Sequence, residues 1–416
     1  MLSSVNTGTY KEKSADSAYT VGRLAKEVAF IGMLLITLSD FYFPSIGLPV
    51  VPMLGTAMFV GVVLAWPRPD TIASRIRRRS TTGVALTLFT VYVTSAIWGL
   101  FLFHSGSIKG AVGMGLGTLI LTVILYQEEN AVFVDTLMQF CTRLLVIHVG
   151  FWLLQGAVSL ASHNFLDYIL PVTGVPTRHG ISVEGVDTHV DRYTGLFAEP
   201  AIYVTYIYFF VTVRLLRSDL KLRFLDLLAM ATIVGSLSIT GILLVVFLLV
   251  LCAIKSIRNW KSTLVITATV GLLAGAVLQM TDSDVMAILV TRLNAPSSDP
   301  SGRIRTVDAV QAFTRLPETA QLFGIGVGNS DILDKISNGV MDILVAFGIV
   351  GVCVLVVLFV SLLSQRKIPG LLWLFIIGML PGGTYFTIQA WWLWIGMMAL
   401  AGVRHVSTDE TEGVGA

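Results

Sequence analysis

Apolar runs of about twenty residues, the length that crosses a hydrocarbon core, recur along almost the whole chain with short polar breaks between them. In chain order they fall at 27–43, 50–66, 82–103, 108–126, 135–160, 196–216, 222–236, 240–254, 262–280, 338–363, 370–380 and 388–402. The pattern predicts an all-α polytopic membrane protein of about 12 transmembrane helices, a single transmembrane domain over 27–403. Polar tails at 1–26 and 404–416 flank it. Two close pairs of runs, 222–254 and 370–402, read either as hairpins of short helices or as broken helices, with breakers at 236–240 and 381–383.

The distribution of basic residues orients the runs. With the first tail inside, Arg68, Arg75, Arg77, Arg78 and Arg79, then Arg214, Arg217, Lys221 and Arg223, then Lys255, Arg258 and Lys261, then Arg366 and Lys367 all fall on one side. The alternation closes only with an even number of spans, which places both tails in the cytoplasm. Two longer loops, 161–195 and 281–337, then face outward. They carry arginines against the orientation bias: Arg178 and Arg192 in the first, Arg292, Arg303, Arg305 and Arg315 in the second. Either these are solvated or paired with headgroups, or they bind an anionic ligand, for which guanidinium is well suited.

Three segments concentrate candidate chemistry. Arg192-Tyr193-Thr-Gly-Leu-Phe-Ala-Glu199-Pro200 delivers an arginine to a helix start where a carboxylate and a proline also suit capping. Asp299-Pro-Ser-Gly-Arg303-Ile-Arg305 precedes a run in which Ile304, Val307, Val310 and Phe313 recur every three residues until Pro317. That spacing predicts an amphipathic helix on the outer leaflet with arginines at its start. Phe323-Gly-Ile-Gly-Val-Gly-Asn-Ser330 has the glycines of a nucleotide loop but not the strand and helix around them, so a close backbone turn under the amphipathic helix is the better reading. Asp282-Ser-Asp284 reads as a solvated helix end. His163, His179 and His189 share one loop without zinc spacing, so no metal is assigned. Within the runs, Asp40, Arg143, His148, Asp226 and Asp342 stand out because ionisable groups in a membrane are costly; Arg143 and His148 are expected to face the bundle interior.

Composition narrows the classes. Apolar residues make up 55% and charged residues 13%, with mean hydropathy +0.80, far from the ~25% charge of a soluble protein. A net charge of +2 is too small for a nucleic-acid footprint. Cys141, Cys252 and Cys353 all sit inside apolar runs and imply neither disulfide nor metal.

Taken in order, the segments R-Y-T-G-L-F-A-E-P-A, S-G-R-I-R-T and L-F-G-I-G-V-G-N-S followed by S-N-G-V-M-D-I-L-V-A-F-G-I-V-G resemble bacterial O-antigen and exopolysaccharide polymerases of the Wzy type. The related O-antigen ligases share the layout. The likeness covers the order of spans and both outer loops, about half the chain closely. It implies an inner-membrane glycosyltransferase of polysaccharide and lipopolysaccharide biosynthesis, acting at the periplasmic face without cofactor or metal. The donor and acceptor it implies are undecaprenyl-pyrophosphate-linked oligosaccharides in membrane lipid, with a chain-length regulator as a further partner. It assigns Arg192 and Arg303 to the pyrophosphate, Arg305 as a helper, and Glu199 to the acceptor or to the arginine network. Arg178, Arg315, Asn338 and Tyr193 complete the substrate-binding set. Ligases commonly place a histidine where Asn338 stands, which favours polymerase over ligase. A secondary transporter and a lipid-binding membrane protein without activity are the readings from other classes; the first predicts internal repeats and discontinuous helices.

Overall fold

The computed structural model describes residues 22–41, 49–67, 72–103, 108–183, 186–256, 307–327, 339–364 and 389–401. The helices in chain order are α1 (Arg23–Thr37), α2 (Val50–Leu64), α3 (Ile72–Phe103), α4 (Ile108–Tyr126), α5 (Ala131–Ser162) and α6 (Leu170–Thr173). A hairpin of β1 (Gly180–Val183) and β2 (Val186–Asp191) follows. Then come α7 (Pro200–Arg217), α8 (Phe224–Gly235), α9 (Ile239–Ser256), α10 (Val307–Thr314), α11 (Glu318–Phe323), α12 (Gly339–Ser364) and α13 (Gln389–Ala401).

The helical class expected from the sequence is observed, with one departure. The first long loop contains a two-stranded antiparallel sheet in which Gly180 faces Asp191 and Val183 faces Val186. Boundaries also move. The first helix ends at Thr37, not near 43, and α3 begins at Ile72, ten residues before the expected run. Residues 196–199 precede α7 as non-helical chain. The runs at 262–280 and 370–380 lie outside the described residues.

Local chemistry accounts for the helix ends that matter here. Asn130 caps α5 by accepting from Phe133 N–H at 3.1 Å, and His163 closes it in the left-handed conformation at φ 56°. Proline starts α7, where its missing N–H costs nothing, and Arg214 and Arg217 occupy its last turn beside the exposed carbonyls. Its 18 residues rise about 27 Å, close to the thickness of a hydrocarbon core.

α7 is the central rod. It packs against α5, α8, α9 and α13. Tyr203, Tyr206, Tyr208, Phe209 and Phe210 are all buried, as are Trp391, Trp392 and Trp394 of α13. Phe209 stacks on Trp394 and Tyr206 meets the same indole edge-on, both at 4.3 Å between ring centres.

Away from this core several helices expose apolar faces. On α9, Leu244, Val245, Leu248 and Cys252 are buried, while Leu243, Val246, Val250 and Ile254 are exposed on the other side. α5 likewise exposes Val146, Leu153, Leu154 and Leu160. Among the described residues, α5 is the helix both long and apolar enough to cross a membrane; the apolar stretches of α2, α3, α4, α8, α9 and α12 are shorter.

The ambiguous pair at 222–254 resolves as a hairpin. Lys255, at the end of α9, reaches Asp219 in the α7–α8 turn at 3.2 Å, so α9 returns to the end where α8 began. Another expected continuous span is broken: α12 has a non-helical Gly348 at φ 66°, ψ 179°. The carbonyls freed near the break are taken by Ile325 N–H on Val345, and by Gly326 N–H and the Ser95 hydroxyl on Ala346. Gly324, at φ 80°, approaches so closely that a Cβ there would lie 2.2 Å from the Ala346 carbonyl oxygen. The described glycines of the string, Gly324 and Gly326, thus form a tight turn wedged into a broken helix, and Phe313 of α10 is buried in one cluster with Ile325. The amphipathic segment is described over Val307–Thr314. Phe313 points into this small core, Val310 is half-exposed, and Ile304 lies outside the described residues.

Candidate active site

Four of the described loop candidates, Arg178, Arg192, Tyr193 and Glu199, lie in the chain that leads into the N-terminal end of α7. Arg178 precedes β1 and Arg192 follows β2, so the hairpin closes its base between them. Both the backbone N–H and the Nε of Arg192 donate to the His179 carbonyl, at 3.1 and 3.2 Å. Arg178 N–H donates to Ala198 O at 2.7 Å, and its Nη1 reaches Glu199 Oε1 at 2.8 Å. Arg178 is 83% exposed and Glu199 30% exposed.

Glu199 occupies the cap position of α7 in extended conformation, yet its side chain makes no capping hydrogen bond. The helix-entry account of this carboxylate therefore gives way to an arginine contact, and the partner is Arg178. Tyr193 serves to seat the segment. Its carbonyl accepts from Trp152 Nε1 at 3.1 Å, and its ring meets Trp152 edge-on at 5.4 Å.

Two side chains outside the sequence-derived set hold this arrangement. Gln155 of α5 is fully buried. Its Oε1 accepts from Thr194 N–H and Gly195 N–H at 2.8 and 2.9 Å, while its Nε2 donates to Leu166 O at 2.6 Å. One amide thereby pins both limbs of the loop to one helix. Asp167 Oδ1 accepts from the N–H groups of Ile169 and Leu170, and Oδ2 from both the N–H and the hydroxyl of Thr177. Burial alone would raise this carboxyl, but the four donors outweigh it and hold it below its ordinary range. Burial raises the neighbouring Tyr168 phenol. Asp40, just after α1, accepts from Ala198 N–H at 2.8 Å and ties the same segment to a second helix. His179 stacks on Phe165 at 3.8 Å between ring centres.

The ionisable residues of the apolar runs divide by role. Arg214 donates to Asp226 at 2.7 Å, at the far end of α7. His148 is buried against Phe197 and Phe210, facing inward as expected. Arg143 does not face inward: it is half-exposed, forked onto Glu27, and lies 3.9 Å over the Phe30 ring. Asp342 is buried in α12.

Arg315 lies exposed in the turn after α10, its N–H bonded to Gln311 O. Nothing in the described contacts joins it to the Arg178–Glu199 pair. Arg292, Arg303, Arg305, Asn338, Asp282 and Asp284 lie outside the described residues. No group of three or more metal-ligating side chains occurs among the described residues.

Comparison with known proteins adds no family. Neither a protein-family model nor a curated protein matches the chain. The geometry therefore has to carry the functional reading: a carboxylate and two arginines on a pinned segment, at one end of a buried aromatic helix. Such a set can hold an anion and orient a hydroxyl.

Proposed function

We propose that the protein is a multi-pass inner-membrane glycosyltransferase of the O-antigen polymerase type, with its site at the periplasmic end of α7. The observation that carries the reading is the Arg178–Glu199 pair beside the anchored Arg192. It stands one helix length, about 27 Å, from the basic turn of Arg214 and Arg217. Exposed apolar faces on α5 and α9, backed by buried ones, support membrane embedding, because a helix apolar all round needs an apolar solvent outside the core. The return of α9 to the end marked by Asp219 and Arg217 supports the proposed alternation at this hairpin, with its basic turns on one side.

In the proposed reaction, a sugar hydroxyl of one lipid-linked repeat unit attacks the anomeric carbon of the glycan on another. The bond from that carbon to the pyrophosphate oxygen breaks, and its electron pair leaves with undecaprenyl pyrophosphate. Arg192, with Arg303 and Arg305, meets the charge that develops on the leaving group. Glu199, held by Arg178, hydrogen-bonds the attacking hydroxyl and keeps the arginines in register. The proton passes from the hydroxyl to Glu199 or to water. Preorganised donors at a developing charge contribute ~3 kcal/mol each.

The test is reaction of the purified protein with a lipid-linked repeat unit, resolved as a ladder of glycan lengths. A ladder supports polymerase. Transfer to a lipid A-core acceptor without a ladder supports the ligase reading instead. The break in α12 at Gly348 is the feature that favours a transporter, since transporters use discontinuous helices. Export of the intact lipid-linked unit without transfer would support that reading.

A further inference from the structure

The opposite end of α7 holds a second basic site that the transferase chemistry does not use. A cavity of about 190 Å³ lies between α5, α7 and α8, lined by Arg214, Arg217, Arg223, Asp226, Thr142 and Ser218 among others. Three arginines and a single aspartate thus share one wall set. Asp226 and the Thr142 hydroxyl occupy two of the five donors of Arg214, whose side chain is nearly buried and rigidly placed. Arg217 is tethered to Asp135 on α5 at 2.6 Å. Arg223 stands at the start of α8 with its backbone N–H on Asp226, while its residue is exposed.

Apolar side chains accompany these arginines. Met138 is part of the lining, Phe224, the residue after Arg223, is 79% exposed, and Ile254 is exposed next to Lys255 at the end of α9, which packs against α8. Arginines with exposed apolar neighbours suit a molecule that is anionic at its head and apolar behind it.

We propose that this cavity binds the phosphate headgroup of an anionic membrane phospholipid. Arg223 supplies the mobile donors, Arg217 adds a guanidinium held in place by Asp135, and Arg214 is the fixed wall. Basic pockets between membrane helices on the cytoplasmic side bind anionic headgroups in this manner, and arginine's fork fits a phosphate better than lysine's single point. The inference rests on the membrane embedding and orientation proposed above, not on the transferase reaction.

The test uses the full-length protein in phosphatidylcholine nanodiscs with and without phosphatidylglycerol. Bound phosphatidylglycerol is counted by native mass spectrometry after release. Arg223→Gln lowers its affinity about fivefold, the weight of one basic side chain near an anionic headgroup. Lys255→Gln removes an equal charge from the same end, outside the cavity lining, and leaves retention unchanged. Equal losses in the two variants would reduce the site to general surface charge and overturn the proposal. So would retention in Arg223→Gln equal to the unsubstituted protein. A third arm titrates inorganic phosphate into lipid-free protein in detergent. Binding there that is as tight as the lipid's and equally sensitive to Arg223→Gln would make the ligand a soluble anion and refute the lipid assignment. Glycan ladder formation is scored separately, so failure here leaves the transferase reading standing, and the reverse.

Discussion

Replacing Gln155 with methionine keeps the volume and removes the hydrogen bonds, which isolates what this amide contributes to the site. In the native structure it accepts from Thr194 N–H and Gly195 N–H and donates to Leu166 O. Thr194 and Gly195 are both buried, so their N–H groups have no water to turn to. A buried donor left without a partner costs ~1–3 kcal/mol, so the two together cost about 2–6 kcal/mol if the loop stays in place. The loop will instead lift, because opening restores hydration to both amides. Native-state hydrogen exchange in nanodiscs reads this directly. Protection at Thr194 and Gly195 is expected to fall by at least about thirtyfold, the equivalent of ~2 kcal/mol, while the middle of α5 keeps its protection. Activity should fall with it, since Arg192 and Glu199 flank the released segment. Unchanged exchange at these two amides in Gln155→Met would refute the claim that Gln155 pins the loop.

Four further outcomes are expected. Glu199→Gln and Arg178→Gln should each reduce ladder formation by at least tenfold, yet shift stability by under ~1 kcal/mol, because so exposed an ion pair contributes little to folding; normal ladders from both would remove the pair from the site. The Asp167 carboxyl is held below its ordinary value of 3.8 in the folded loop, so its stabilisation is complete above that value and is lost as pH falls through the lower folded one. Loop exchange should therefore accelerate in that acid window, and Asp167→Asn should flatten the dependence. Gly348→Ala should destabilise severely, since its Cβ would sit 2.3 Å from the Leu322 carbonyl oxygen at a positive φ, whereas Gly150→Ala meets nothing and should be neutral or slightly stabilising; similar melting temperatures for the two would contradict the close packing at the α12 break. On a Cys353→Ala background, cysteines placed at Ser298 and Ser218 should label from opposite sides of the membrane, and labelling from one side would overturn the proposed topology; Cys353 is the exposed native thiol among the described residues, Cys141 and Cys252 being buried.

Where the chain is uniformly apolar for a helix length, the sequence shows a helix; where one residue decides the geometry, it shows less. The hairpin strands at 180–191 are inconspicuous because Ile181, Val183, Val186 and Val190 alternate over too few positions to stand out beside long apolar runs. Gln155 is inconspicuous for a different reason. An ionisable group in an apolar run stands out by its cost, whereas a neutral amide does not, yet an amide with three buried partners is as demanding. The break at Gly348 is also invisible in composition, because Ala-Phe-Gly-Ile-Val reads as unbroken helix until the turn at 324–326 supplies donors for the freed carbonyls. The glycine turn itself was legible, since glycines that close together without a nucleotide-binding frame leave close backbone approach as their use.

The costly polar residues show how far such an argument reaches. The cost of a polar group in an apolar helix run says that Asp40, Arg143, His148 and Asp226 each need a reason, but not which one. Four reasons are found: Asp40 anchors the segment before α7, Arg143 rests on an aromatic ring and a glutamate at the surface, His148 packs in the aromatic core, and Asp226 fixes an arginine. Two of these, with Gln155, secure the ends of α7 rather than its middle. The middle needs no such help, because buried aromatic area already fixes its place and apolar contact is indifferent to small rotations. The ends are different. There the chain must leave the helix at a set angle, and only directional hydrogen bonds can specify one. The residues that position Arg178, Arg192 and Glu199 are therefore polar side chains rooted in apolar helices. The same rule places Arg214 at the other end, which is why both basic sites of this protein lie where α7 stops.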